Sequence, residues 1–311
     1  MSTEPGGAGF VGREHELGRL CAAWERARRG EAVIAGIEGD PGIGKTALVR
    51  RFTELAAPRA RVWVSGDEVE AGLPWGVLAQ LHRALGGTPR GAGPWDPRAD
   101  PLFVGQDLAR TLQDGGELLV VVDDAHWADH SSMAALRVAA RRLLADPVMI
   151  VVVHGTGGGV TGVAPPPTYG VGDGWRRLFE ADGGLRLRLG GLPAGELARL
   201  AVACGRPGLS PAGAARLHAH TGGHPLHVRH LLDELPLHSI VFGHGPLPAP
   251  ERVAAAVSSR LGACAEATRE LVAAGAVLGR RFSLAGVRDM TPATPATPAT
   301  PATPATPATP A

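Results

Sequence analysis

The sequence predicts an α/β fold: a parallel sheet flanked by helices and followed by a helical subdomain. Three observations predict it. Short, almost wholly apolar runs at 32–37, 117–122 and 148–153 alternate with longer amphipathic runs, the pattern of buried parallel strands and their crossover helices. A glycine-rich loop of the form G-x-x-x-x-G-K-[ST], Gly39 to Thr46, joins one such run to a helix. After about residue 190 the apolar positions follow a helical period.

Taken in order, residues 12–30 are expected to be helical, because Leu17, Leu20, Cys21 and Trp24 recur at helical spacing among charges. Ala32 to Ile37 reads as a buried strand, followed by the glycine-rich turn and a helix from Lys45 to Leu55. Arg61 to Val64 is a short strand, and 75–85 and 102–113 are amphipathic helices around a Gly/Pro loop at 86–101. Glu117 to Val122 is a strand, 131–145 a helix and 148–153 a strand. Residues 155–174, rich in Gly and Pro, read as a flexible surface loop. Leu185 to Leu189 alternates as an edge strand does. Helices are expected at 193–204, 210–219 and 225–235, then a Pro/Gly/His loop at 236–250 and further helix at 251–278. From Thr291 the triplet TPA repeats seven times. With neither charge nor large apolar side chain, that segment is expected to be extended and disordered.

Composition removes several function classes. Hydrophobic residues make up 44% of 311, enough for a sizeable core, and aromatics only 4%, so Ala, Val and Leu must fill it. A net charge of +1 excludes a strongly basic nucleic-acid platform over the whole chain. Cys21, Cys204 and Cys264 are odd in number, far apart and without C-x-x-C spacing. They suggest neither a disulfide framework nor a zinc site, and a reducing cytoplasm as the location. No basic-then-apolar leader follows Met1, and the longest apolar runs, Leu118–Val122 and Pro147–Val153, fall far short of the roughly 20 residues that span a bilayer. A membrane partner is not expected.

The chemistry concentrates in two places. In Gly39-Asp40-Pro41-Gly42-Ile43-Gly44-Lys45-Thr46 the glycines let backbone N–H groups wrap around phosphates. Lys45 can reach the β- and γ-phosphates, the Thr46 hydroxyl can ligate Mg²⁺, and the following helix adds its positive N-terminal end. Lys45 is the only lysine beside 30 arginines. The second place is Leu118 to Val122 followed by Asp123 and Asp124, an apolar strand ending in two carboxylates. Asp123 is expected to hold Mg²⁺, and Asp124 to orient the attacking water. Asp129 or Ser131 is a fair N-cap for the next helix. His126 and Trp127 lie just beyond the acidic pair and read first as packing, with phosphate sensing by His126 as the alternative. His218, His220, His224, His227 and His230 read as a solvated helix face rather than a metal site.

These motifs, together with Phe10-Val11-Gly12-Arg13-Glu14 and Thr221-Gly222-Gly223-His224-Pro225-Leu226, resemble the AAA+-like ATPase module of STAND-class signal-transduction P-loop NTPases. More narrowly they resemble that of the large LuxR-family transcriptional regulators. GDPGIGKT and VVVDDAHWAD correspond to the Walker A and Walker B boxes, and the likeness covers about residues 9–288. It implies a P-loop ATPase domain at 9–190, a helical lid at 191–250, the start of a winged helix at 251–290, and the repeat at 291–311 as a tail. It implies ATP and Mg²⁺ as cofactors, with Val11, Gly12, Arg13 and Pro225 near the base. Three departures stand out. His154-Gly155-Thr156 occupies the place of an arginine-bearing sensor, and His224 replaces an asparagine. The family's C-terminal helix-turn-helix has no counterpart here, so direct DNA binding by this chain is not expected.

The leading functional expectation is a nucleotide-gated switch. It would bind ATP, convert ATP and water slowly to ADP and phosphate, and use lid closure to alter self-association or association with longer homologues. A P-loop small-molecule kinase and a non-catalytic nucleotide-binding fragment stay open as alternatives.

Overall fold

The computed structural model describes residues 10–86, 96–155, 171–243 and 245–278. Five parallel strands form one sheet: β1 (Val33–Gly39), β2 (Arg61–Ser65), β3 (Leu118–Asp123), β4 (Val148–Gly155) and β5 (Leu185–Arg188), in the order β2-β3-β4-β1-β5. Every residue of β1 and β3 is buried, as expected of strands covered on both faces. The strand that bears the glycine-rich loop is therefore internal. It pairs with β4 from Val33↔Met149 to Gly39↔Gly155 and with β5 from Ala35↔Leu185 to Glu38↔Arg188.

Six helices cover the sheet: α1 (Glu14–Arg28), α2 (Lys45–Ala56), α3 (Gly76–Ala84), α4 (Pro101–Asp114), α5 (His130–Ala140) and α6 (Asp173–Glu180). Side chains alternate between faces along each strand. Val33, Ala35, Ile37, Leu119, Val121, Met149, Val151 and Val153 pack with Leu20 and Trp24 of α1 and Leu48, Val49 and Phe52 of α2. On the other face Ile34, Val120, Val122, Ile150 and Val152 pack with Leu78 of α3, Leu108 of α4, Leu136 of α5 and Phe179 of α6. The result is three layers, helix–sheet–helix.

A third apolar cluster belongs to the helices that follow: α7 (Ala194–Ala203), α8 (Pro211–Thr221), α9 (Pro225–Glu234) and α10 (Leu237–Phe242). Leu197, Leu200, Leu217, Val228, Leu231, Leu232 and Ile240 are fully or almost fully buried there. The Ser210 hydroxyl accepts from Gly213 N–H and Pro211 takes the first turn of α8, which starts that helix where the sequence says it should.

The chain separates into two units, Met1–Val253 and Ala254–Ala311. Beyond Val253 the described structure is the remainder of α11 (Glu251–Ala263) and then α12 (Glu266–Leu278).

Several expectations need correction. The helix expected over 131–145 stops at Ala140, and a turn carries the chain to β4. The further helix expected over 251–278 is present as two helices, with a break at Cys264-Ala265. Helix α6 was not foreseen, and α10 lies inside what reads as a loop. Most of the expected loop at 155–174, the end of the expected winged-helix region and the TPA repeat lie outside the described residues.

Candidate functional site

The C-terminal edge of the sheet gathers the ends of β1, β3 and β4. From β1 the chain enters Gly39–Gly44 and then α2. Gly42 and Gly44 have φ of 80° and 100°, a region L-residues avoid, so the turn that brings Lys45 to the start of α2 depends on glycine. Lys45 is buried, and its ammonium donates to the carbonyls of Gly39 (2.9 Å) and Asp40 (3.0 Å). Those bonds fold the side chain back along the loop. Burial lowers its pKa from the ordinary lysine value, and the charges of Asp124, Asp123 and Asp40 oppose that shift.

Asp123 ends β3 and is 5% exposed. The Thr46 hydroxyl donates to its Oδ1 at 3.2 Å, and Asp124 N–H to the same oxygen at 3.0 Å. Burial raises the Asp123 pKa and the neighbouring Asp124 adds to the rise; the two hydrogen bonds and Arg50 work against it. A raised carboxylate is one that a cation would relieve. Thr46 and Asp123 supply hard oxygen donors side by side, the donor type Mg²⁺ takes together with phosphate and water. The site's residues therefore fit a Mg²⁺-nucleotide.

Asp124 differs from Asp123 in every respect. Its φ is 45°, in the left-handed region, and its side chain is half exposed. It opens a short 3₁₀ turn, Ala125–Trp127, whose His126 Nδ1 lies 4.0 Å from Asp124 Oδ1. Asp129 accepts from Ser132 N–H as N-cap of α5 and also from the N–H groups of Trp75 and Val77. It is a structural anchor, as read from the sequence.

The segment before α1 closes the other side. Gly12 (φ 73°) has Leu192 and Glu196 against the position of a Cβ. Arg13, also left-handed (φ 67°), pairs with Glu16 and donates to the carbonyls of Ile43 (3.3 Å) and Gly190. Its guanidinium is thus engaged by the glycine-rich loop and by the segment after β5. Val11 is half-buried next to it. Pro225 stands in the first turn of α9, and its two neighbours reach the loop. His224 Nε2 donates to the Pro41 carbonyl at 3.0 Å, and Leu226 lies against Gly42. Burial, and then the nearby His227, lower the His224 pKa. The His224 and His227 rings stack at 4.1 Å. Among the described residues no group of three or more His, Cys, Asp or Glu could hold a metal.

Sequence reasoning missed a charged group behind the loop. Glu38, the residue before Gly39, is 2% exposed in a strand that is otherwise apolar. Arg186 of β5 donates to both its oxygens, at 2.7 and 3.0 Å. Arg188 lies 3.7 Å away, as does His154 Nε2 of β4. Burial pushes the Glu38 pKa up, but Arg186, His154 and Arg188 together outweigh it and the carboxyl ends below its ordinary value. The signal was present: a carboxylate inside an apolar run, and two arginines at alternate positions of a strand that could pair with it.

Fold and site together define a P-loop nucleotide-binding domain. Residues 9–152 match the AAA ATPase domain family. The chain is 26% identical over 192 residues to an uncharacterised protein of Rhizobium meliloti (strain 1021), covering 47% of this chain and 18% of that protein. Among solved structures it is similar to Cdc6p from Pyrobaculum aerophilum (TM-score 0.48, 19% identity, 74% of this chain, 62% of that one). It is also similar to a STAND protein with a tetratricopeptide repeat sensor from Pyrococcus horikoshii (TM-score 0.43, 20% identity, 90% and 36%) and to RuvB from Thermotoga maritima (TM-score 0.45, 17% identity, 88% and 83%). The chain thus spans less than a fifth of the curated relative. No helix among the described residues is long and apolar enough to cross a membrane.

Proposed function

We propose that this chain is a regulatory ATPase switch of the STAND type, akin to the sensor module of LuxR-family regulators. It binds ATP with Mg²⁺ and hydrolyses it slowly. The observation that supports a switch is the seat of the helical segment on the loop, His224 on Pro41 and Leu226 on Gly42. A loop that must accommodate phosphates also carries the lid, so phosphate occupancy and lid position share the same atoms.

In this reading the loop N–H groups and Lys45 bind the phosphates, and Lys45 exchanges its carbonyl partners for phosphate oxygens. Thr46 and Asp123 hold Mg²⁺, which neutralises phosphate charge. Asp124, half exposed just beyond the end of β3, orients the attacking water and accepts its proton. Val11, Gly12, Arg13 and Pro225 border the base. The partners are ATP and ADP, then a second copy or a longer homologue that reads lid position; DNA and membranes are not direct partners. The location is the cytoplasm.

Measuring ATP turnover and ADP affinity on the purified chain tests the reading. Micromolar nucleotide affinity, turnover well below one per second and loss of both in Lys45→Ala are expected; the affinity scale is about −8 kcal/mol. Binding without turnover would favour the non-catalytic fragment. Phosphate transfer to an added small molecule in place of water would favour a kinase.

A further inference from the structure

Two imidazoles behind the phosphate loop each carry one buried ring nitrogen with no hydrogen-bond partner. His154, 6% exposed, is the register partner of Glu38, and Gly155 after it is the register partner of Gly39. His154 Nδ1 contacts the Gly155 carbonyl at 3.3 Å. A carbonyl only accepts, so Nδ1 carries the hydrogen and Nε2 is a bare lone pair. That lone pair faces Glu38 Oε1, a second acceptor, and the two stand 3.7 Å apart, beyond a hydrogen bond. Nε2 is buried and without a hydrogen-bond partner. The His126 ring lies over Gly155, and its Nδ1 is likewise buried and unpartnered.

We propose that this pair, with His154 as the principal acceptor, takes up one proton from solvent when nucleotide phosphates bind at Lys45. The inference rests on the nucleotide site proposed above. The new N–H bond forms at His154 Nε2, where the existing mismatch with Glu38 becomes an ion pair. The acceptor for the proton is already in place.

Every charged group facing the pair fits this order of events. Arg186 holds Glu38 through two bonds and Arg188 stands nearby, so the carboxylate is already matched. Lys45 disfavours a positive charge on both rings, and His126 disfavours one on His154, so one proton on the pair is favoured over two. Asp124 faces only His126, and the α6 face offers the ring of Phe179. Burial first of all keeps both imidazoles below their ordinary pKa, hence neutral near neutral pH. Phosphates add negative charge beside Lys45 and remove the obstacle. The pKa is then higher in the bound state, so affinity increases as pH falls through the interval between free and bound values.

Calorimetric titration of Mg²⁺-ADP and of a non-hydrolysable Mg²⁺-ATP analogue into the full chain tests this, near pH 7 in buffers of different ionisation enthalpy. The apparent enthalpy is expected to vary with the buffer by an amount equal to about one proton taken up. His154→Gln is expected to lose most of that uptake, and His126→Gln part of it. If His154→Gln does not fold, the wild-type buffer dependence together with His126→Gln decides. Binding with the same enthalpy in every buffer would overturn the inference and leave the nucleotide site standing. Uptake unchanged in both variants would also overturn it, since the proton would go elsewhere. Absence of any nucleotide binding by the wild type would overturn the site and the inference together.

Discussion

Lys45 is a buried ammonium held by two loop carbonyls, and its lowered pKa means the folded protein binds its proton less readily than the unfolded chain does. A depressed lysine makes stability rise with pH through the interval between the folded and unfolded values. Removing the charge should not unfold the protein. Lys45→Met is expected to leave the melting temperature of the empty protein unchanged or higher, while nucleotide affinity falls by about 100-fold or more, roughly 2.7 kcal/mol. Thermal melts with and without Mg²⁺-ADP measure both. The same reasoning applies with opposite sign to Asp123. Its raised pKa gives stability that is present at low pH and lost as pH rises through the folded value. Asp123→Asn keeps an acceptor for Thr46 and Asp124 N–H, so it should melt no lower than the wild type near pH 7 while losing the Mg²⁺ dependence of binding. Asp124→Asn should behave differently. Asparagine tolerates the left-handed backbone at that position, so binding should persist and turnover should drop about 10-fold or more. Equal loss of binding in both variants would show that the roles are wrongly divided.

At the scale of elements, the close approach of α6 to the sheet depends on Gly36. A Cβ there would stand within 2.4 to 2.6 Å of ring atoms of Phe179, the buried anchor of that helix. Gly36→Val adds a branched side chain to a filled core and should cost about 1–3 kcal/mol, read as a shift in urea midpoint at constant slope. This contact also explains what the sequence could and could not convey. The two Walker segments were legible because they join strong local signals, an all-apolar strand and a loop whose glycines have one conformational purpose. Helix α6 was not. It has only eight residues, follows a Gly/Pro-rich stretch, and its apolar face is essentially Trp175 and Phe179. Its existence depends on a pocket over Gly36 that no local pattern announces. Helix α10 is hidden for the same reason, with Ile240 its buried residue inside a Pro/Gly/His stretch. The Glu38–Arg186–His154 group needed the strand order. β5 and β4 flank β1 only because of crossovers between distant segments, so the neighbours of Glu38 could not be read from spacing along the chain.

At the scale of the whole molecule, the first unit ends at Val253 and contains all three apolar clusters. A chain cut after Val253 is therefore expected to keep its cooperative melt and its nucleotide affinity, within about 0.5 kcal/mol. A loss of affinity on that cut would mean that residues 254–311 contribute to the site.

The strand order has a consequence for how this protein is born. The loop that would hold the phosphates is made well before the partners of its strand: Val33 pairs with Met149, and Ala35 with Leu185. Parallel pairing between such distant segments is slow and leaves apolar edges open in the meantime. On the ribosome the Walker A sequence must wait, exposed, for β4 and then β5 to emerge. Nascent chains stalled before β5 has left the exit tunnel should fail to be retained by immobilised ATP, and those stalled beyond α10 should be retained. The interval between is when the unpaired edge of β1 is open to chaperones and to aggregation.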